Sequence, residues 1–373
     1  MTAALERIAV PALALLASAA LFGLLLAIYA QVDPLEAFAL MYQGAFGSWF
    51  SWQNTLTRAA PLMLTALCVA LPARAGLIII GGEGAFVLGG LASAAVPYLV
   101  TLPANAFGTT LVCIAGMLIG GLWIALAGAL RQYRGVNETI SSLLLAYTAI
   151  AIFKQLVEGP LRDPATLNKP STRSLVDDLR ITGIGGSDVH WGLVLGIAAC
   201  LLIGLWLAYT ASGFSVRVVG GNPRTAQLVG LPANRLVLIA CAIGGACAGL
   251  AGAVEVAAVH TNANASLIAG YGYAGILVAF IARQSPFAII PVAILFGGFG
   301  AAGSLLQRRL GLPDASVQVL QGIAFVLILA SEALRGLDWI GIRGKLRRPP
   351  QRDPLPKDID GRPVIHEIEE KLA

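Results

Sequence analysis

The sequence predicts an all-α fold, a polytopic transmembrane helical bundle of about ten spans. Three observations carry that reading. Of the 373 residues 57% are hydrophobic and only 12% charged, with a mean hydropathy of +0.79, whereas soluble domains are roughly one quarter charged. Apolar runs near the roughly twenty residues needed to cross a bilayer recur along most of the chain. Among them the stretch GLIIIGGEGAFVLGG, residues 76–90, places the carboxylate of Glu83 inside a glycine-broken apolar segment. An ionisable group at bilayer depth costs a few kcal/mol or more, and broken backbone survives there only when buried in protein or lining a wet cavity. The stretch therefore points to a translocation path.

The first run, residues 8–30, exceeds the roughly 7 to 15 residues of a signal-peptide core and lacks a clear early cleavage site, so it reads as a retained helix. Spans follow at residues 56–71, 77–96, 108–130 and 140–157, then at 191–209, 236–258, 268–282, 287–305 and 315–334. Glycines in the third and eighth leave two readings open, re-entrant or fully crossing. The ladders Gly116-xxx-Gly120 and Gly245-xxx-Gly249 read as close helix packing. Cys68, Cys113, Cys200, Cys241 and Cys247 all fall in apolar runs, which argues for small packing residues rather than a disulfide framework or a CxxC metal pair. Nothing at metal-ligand spacing accompanies His190 or His260.

Basic residues near span ends are retained on the cytoplasmic side. With ten crossings and the N-terminus inside, Arg7, Arg74, Arg131, Arg134, Arg217, Arg224, Arg235, Arg283 and the basic residues from Arg335 onward are cytoplasmic. The acids Asp33, Glu36, Glu158, Asp163, Asp177, Asp178, Asp188 and Asp314 then face outward, with the mixed, Pro/Gly/Ser/Thr-rich loop 159–190. Residues 1–334 form the transmembrane domain and 335–373 a basic cytoplasmic tail without a further apolar run. Its cluster Arg343, Lys345, Arg347 and Arg348 anchors topology beside anionic membrane lipid rather than binding nucleic acid.

The loop 212–235, SGFSVRVVGGNPRTAQLVGLPANR, contains a short helix: Asn222 caps, Pro223 suits the first helical position, and Gly230 closes the end. Some seven residues span about 10 Å, too short to cross a bilayer. It is either an ordinary capped loop helix or a docking element offering Arg217, Arg224, Gln227, Leu228 and Val229 to a cytoplasmic partner.

The ordered set of GxEG with Gly82, Glu83 and Gly84, then VNETISSLLL (136–145), RVVGGNPRTAQLVG (217–230), GLAGAVEVAAVH (249–260) and GYGYAGILVAFIAR (270–283) resembles the inner-membrane permease subunit of bacterial ABC importers. The branch it most resembles is that of nucleoside (purine and simple-sugar) permeases, related to the ribose and branched-chain amino-acid permeases, over residues 56–334. The resemblance implies a permease that pairs with a second, identical or paralogous permease, docks on cytoplasmic ATP-binding subunits, and receives solute from an extracytoplasmic solute-binding protein in the bacterial inner membrane. The short helix becomes the coupling helix, with Arg217, Asn222, Pro223, Arg224, Gln227, Leu228 and Gly230 as its coupling residues. The chain has no GxxxxGK[ST] phosphate loop, so it is not itself an enzyme, holds no cofactor, and relies on ATP bound by a partner.

Three departures bear on the solute. Relatives of the nucleoside type continue GxEGQ where this chain has Ala85, carry LN(Y/W) where it has Leu145-Ala146-Tyr147, and read GYGFDG where Ala274 follows Tyr273. Either the solute differs or is less polar, or a partner permease supplies the polar contacts. Glu83 then contacts solute, or is a structural carboxylate satisfied by the backbone donors of its glycine break. Glu255 is the mirror case in the second half and needs a polar neighbour. By analogy with internally repeated transporters, Glu83 with Gly81, Gly82 and Gly84, and Tyr271, Tyr273 and Gly275, face one cavity. The two tyrosines stack a base or sugar face there, or serve as interfacial anchors. Asn137 and Glu138 either cap the following span or meet a cytoplasmic partner. The expected function is ATP-driven uptake of a nucleoside, purine or related simple sugar. The alternative is a proton-coupled secondary transporter using Glu83 and Glu255.

Overall fold

The computed structural model describes residues 2–166, 168–313 and 315–335, which are helical with no strand; two isolated bridges, Ser171 with Asn264 and Gly183 with His190, are their only β pairing. In chain order the helices are α1 (Thr2–Leu25), α2 (Pro34–Phe46), α3 (Trp49–Arg74), α4 (Gly82–Leu99), α5 (Ala106–Arg134), α6 (Glu138–Glu158) and α7 (Gly192–Tyr209). They continue with α8 (Ala211–Gly221), α9 (Pro223–Leu228), α10 (Ala233–Val254), α11 (Tyr271–Ile281), α12 (Pro286–Leu310) and α13 (Ala315–Arg335). Both α1 and α10 end in a π turn, Leu26–Ala30 and Glu255–His260. Among the described residues seven segments are long and apolar enough to cross a membrane: Leu13–Ala30, Trp49–Arg74, Ala106–Arg134, Glu138–Glu158, Gly192–Tyr209, Ala233–His260 and Pro286–Leu310. Asp314 and the tail cluster Arg343, Lys345, Arg347 and Arg348 lie outside the described residues.

Helix α10 is the centre of the bundle, packed against α3, α4 and α5. Small residues set its position. Gly249 meets the backbone of Gly116 and Gly120 on α5 and that of Gly89 on α4, and Gly245 meets the Gly120 carbonyl. A Cβ at any of these points would strike main chain, so the two glycine ladders are one seam in which backbone touches backbone.

The third apolar segment, expected from residue 77, becomes helical only at Gly82; residues 77–80 have no regular structure. Their polar groups are met mainly by the start of α6. The Ile80 amide donates to Ser142 Oγ at 3.1 Å, and Thr139 Oγ1 donates to the Ile78 carbonyl at 3.1 Å. Asn137 caps α6 through the amides of Thr139 and Ile140, and Glu138 pairs with Arg131 at 3.3 Å. The VNETISS stretch therefore splints the glycine break as well as opening a helix. The eighth segment is also shorter than expected: α11 has 11 residues, about 16 Å at 1.5 Å per residue.

Two helices were not anticipated. Helix α2 is started by Asp33, which caps the Leu35 amide ahead of Pro34, and it is tied to α3 by Thr55 Oγ1 on the Ala45 carbonyl at 2.7 Å. Helix α8 precedes α9 and is capped by Thr210. The loop 159–190 is fastened to the segment after α10. Thr172 and Leu175 donate their amides to Ala263 and Thr261, and the Ile181 amide donates to Ala257.

Candidate functional site

Two adjoining cavities lie where the start of α11 meets α3, α4, α12 and α13. The first, of about 370 Å³, is lined by Arg58, Tyr271, Gly297, Gly300, Gln318 and Gln321 among others; the second, of about 650 Å³, by Ile80, Glu83, Tyr273, Leu277 and Phe325. Ile268, Ala269, Gly270, Ala274, Gln318 and Gln321 belong to both walls, so the two form one seam beside the α11 N-terminus.

Glu83 stands in the first turn of α4 and is fully buried. Its Oε1 accepts the amide of Gly270 at 3.0 Å and its Oε2 the amide of Gly272 at 2.6 Å. These donors come from the start of α11 and not from the carboxylate's own glycine break. A helix N-terminus leaves amides without intrahelical partners and carries partial positive charge, which a carboxylate satisfies on both counts. The approach is close enough that a Cβ on Gly272 would collide with the backbone of Glu83.

The grouping of Glu83, its neighbouring glycines, both tyrosines and Gly275 around one cavity is only partly realised. Glu83 and Tyr273 line the larger cavity and Tyr271 the smaller. Gly81 packs on Ser142, Gly82 on Cys68 and Gly272, Gly84 on Ala146 and Trp123, and Gly275 on Thr65; these glycines set distances between helices. Thr65 Oγ1 also donates to the Tyr271 carbonyl at 3.0 Å. Glu255 lies in the π turn of α10 and is buried, with its Oε1 3.6 Å from His260 Nε2, and it lines neither cavity.

Three polar residues on these walls escape sequence reasoning: Arg58, Gln318 and Gln321. A span started at residue 56 leaves Arg58 at a membrane rim, where arginine is ordinary. Helix α3 begins at Trp49, which carries Arg58 about two and a half turns inside it. Arg58 is exposed and lines the smaller cavity together with Tyr271. Gln318 and Gln321 are spaced i, i+3, a spacing that lays two side chains on one helix face and was a usable signal.

At the other end of the bundle Asn222 caps α9 by accepting the amides of Arg224 and Thr225, Pro223 opens the helix, and Gly230 follows with φ +80°. Ala226 is buried, whereas Leu228 is 87% and Val229 67% exposed; Arg217, Arg224 and Gln227 are exposed as well. This helix does not hang free. Gly220 at the end of α8 rests on the Arg74 carbonyl, and Arg74 donates from Nε to the Gln284 carbonyl at 3.0 Å, so α8 is keyed to the ends of α3 and the 283–284 turn.

Residues 51–329 match the family described as branched-chain amino acid transport system, permease component. The chain is 32% identical to a glucose ABC transporter permease protein of Haloferax volcanii, covering 86% of this chain and 87% of that one. It is 25% identical to a guanosine ABC transporter permease protein of Bacillus subtilis, over 93% and 99% of the two chains. A nucleoside ABC transporter permease protein of Lactococcus lactis is 27% identical over 80% and 85%.

Proposed function

As the chain belongs to the family of permease components of branched-chain amino acid transport systems, we propose that it forms the membrane passage of an ATP-driven importer for a nucleoside, a purine or a related simple sugar. The observation that carries the solute class is the similarity, over 80% to 93% of the chain, to permeases named for glucose, guanosine and nucleosides. In this reading the seven long apolar segments are joined by α4, α11 and α13 to make ten passes, with α11 a half-length helix completed by the irregular chain before it. Both termini, the tail 335–373 and the α8–α9 unit face the cytoplasm of the inner membrane, as the basic residues at that end support. The loop 159–190 faces outward, where a solute-binding protein delivers its load.

The passage is completed by a second permease, and membrane lipid surrounds the pair. The chain has no cofactor of its own; ATP is bound by cytoplasmic subunits that dock on α9. The exposed Leu228 and Val229 offer an apolar contact flanked by Arg217, Arg224 and Gln227. Because α8 is keyed to α3 through Gly220 and Arg74, a push on α9 reaches the helix that carries Arg58 and Thr65. The test is uptake by vesicles holding this permease with its ATP-binding subunits and binding protein. Transport that stops on ATP depletion and survives collapse of the proton gradient supports the reading; uphill uptake by this chain without an ATPase refutes it in favour of proton coupling.

A further inference from the structure

Both oxygens of Glu83 are aimed at backbone amides, which leaves the polar work of the cavities to other groups. Arg58 is a charge inside a 26-residue apolar span, and an arginine there is costly unless it faces water or a bound group. It is exposed to a cavity whose α12 wall presents Gly297, Gly300 and Gly303 beside Phe296, and a Cβ on Gly300 would lie 3.4 Å from Arg58 Cδ. Among the described residues no carboxylate stands within ion-pair distance of it. A guanidinium has five N–H donors in a fixed fork, and Arg58 shares its cavity wall with Tyr271, Gln318 and Gln321.

We infer that Arg58, Gln318 and Gln321 form a station for neighbouring hydroxyls of a sugar ring, the Arg58 fork donating to the hydroxyl oxygens and the two carboxamides both donating and accepting. This rests on the solute class proposed above and adds the part of the solute that is read. Hydroxyls fit better than an anion because a carboxamide offers an acceptor as well as donors, and of the two only a hydroxyl uses both; an anion accepts only.

The experiment compares uptake of guanosine with 2′-deoxyguanosine, and of D-glucose with 2-deoxy-D-glucose, in vesicles holding the complete importer. Each Arg58→Gln rate is divided by the wild-type rate for the same solute, so that selectivity of the binding protein cancels. Arg58→Gln is expected to slow the hydroxylated member of the transported pair about tenfold more than its deoxy analogue, with stimulation of the ATPase by the binding protein retained. Arg58→Lys keeps the charge but not the fork, and is expected to recover less than half of the loss. Gln318→Leu and Gln321→Leu, on the cavity wall of α13, are expected to show smaller shifts in the same direction. Equal slowing of both members of the pair, or no slowing, overturns the station while leaving the importer reading intact. A wild-type complex that imports neither pair on ATP overturns the solute class, and the station with it.

Discussion

Glu83 Oε2 accepts the amide of Gly272 at 2.6 Å, across 189 residues of chain. A side chain in the first turn of α4 thereby caps α11, a helix that begins inside the bundle with Gly270 in the left-handed region, φ +80°. The two glycine-marked motifs of the sequence, GGEG and GYGYAG, are two sides of a single contact.

Glu83→Gln puts an amide NH2 where one of two N–H groups needs an acceptor. Loss of one charge-assisted bond with a buried donor left unpaired costs about 2 to 3 kcal/mol. A clear fall in thermal unfolding temperature in detergent is expected, with a larger fall for Glu83→Ala. Equal melting of Glu83→Gln and wild type would remove the cap from the account of stability.

Gly272→Ala drives a methyl into the main chain of Glu83, which cannot retreat without breaking the same cap. A large loss of folded protein is expected, on the scale of severe overpacking, roughly 3 kcal/mol or more. Gly322→Ala, where nothing lies within 4 Å of the new atom, serves as the comparison and should be neutral or slightly stabilising through helix propensity.

Replacing residues 223–229 by a Gly/Ser segment should abolish uptake and copurification with the ATP-binding subunits while the permease still reaches the membrane. A milder version, Asn222→Ala, removes the cap from the Arg224 and Thr225 amides and should weaken α9 by about 1 kcal/mol. ATPase assembly assayed by pull-down reads both. Normal transport by the Gly/Ser variant would dismiss α9 as a coupling element.

His190 lies before α7, buried, with neither ring nitrogen hydrogen-bonded. Burial pulls its pKa from the ordinary 6.5 down to about 4. The unfolded chain therefore binds the proton first on acidification. The stability held by the neutral ring is complete above pH 6.5 and is lost as pH falls from 6.5 toward about 4. The span of that window corresponds to about 3 kcal/mol. His190→Leu should flatten the dependence of unfolding temperature on pH in this range; an unchanged slope would assign the acid sensitivity elsewhere.

What was legible in the sequence was whatever local chemistry writes. Asn222 before Pro223 and Asn137 before a hydrophobic run announce their helices by capping. The spacing of Gly116, Gly120, Gly245 and Gly249 announces close packing. The partner of each motif was not legible, because partnership is set by the fold. Nothing near Glu83 says that its acceptors serve amides far along the chain, and nothing near Ser142 says that it serves Ile80. Helix α2 escaped because its 13 residues are too few to stand out as a membrane run. Arg58 escaped because α3 starts seven residues before the apolar run that marks it.

The α5–α10 seam has a mechanical corollary. Where main chain lies directly on main chain there are no rotamers to exchange and no slack to take up, so the spacing of α4, α5 and α10 is fixed by their backbones. Across from that seam α13 confronts α3 and α11 over open volume. One side of the bundle is thus set by glycine-to-glycine main-chain contact, and the other carries the glutamines.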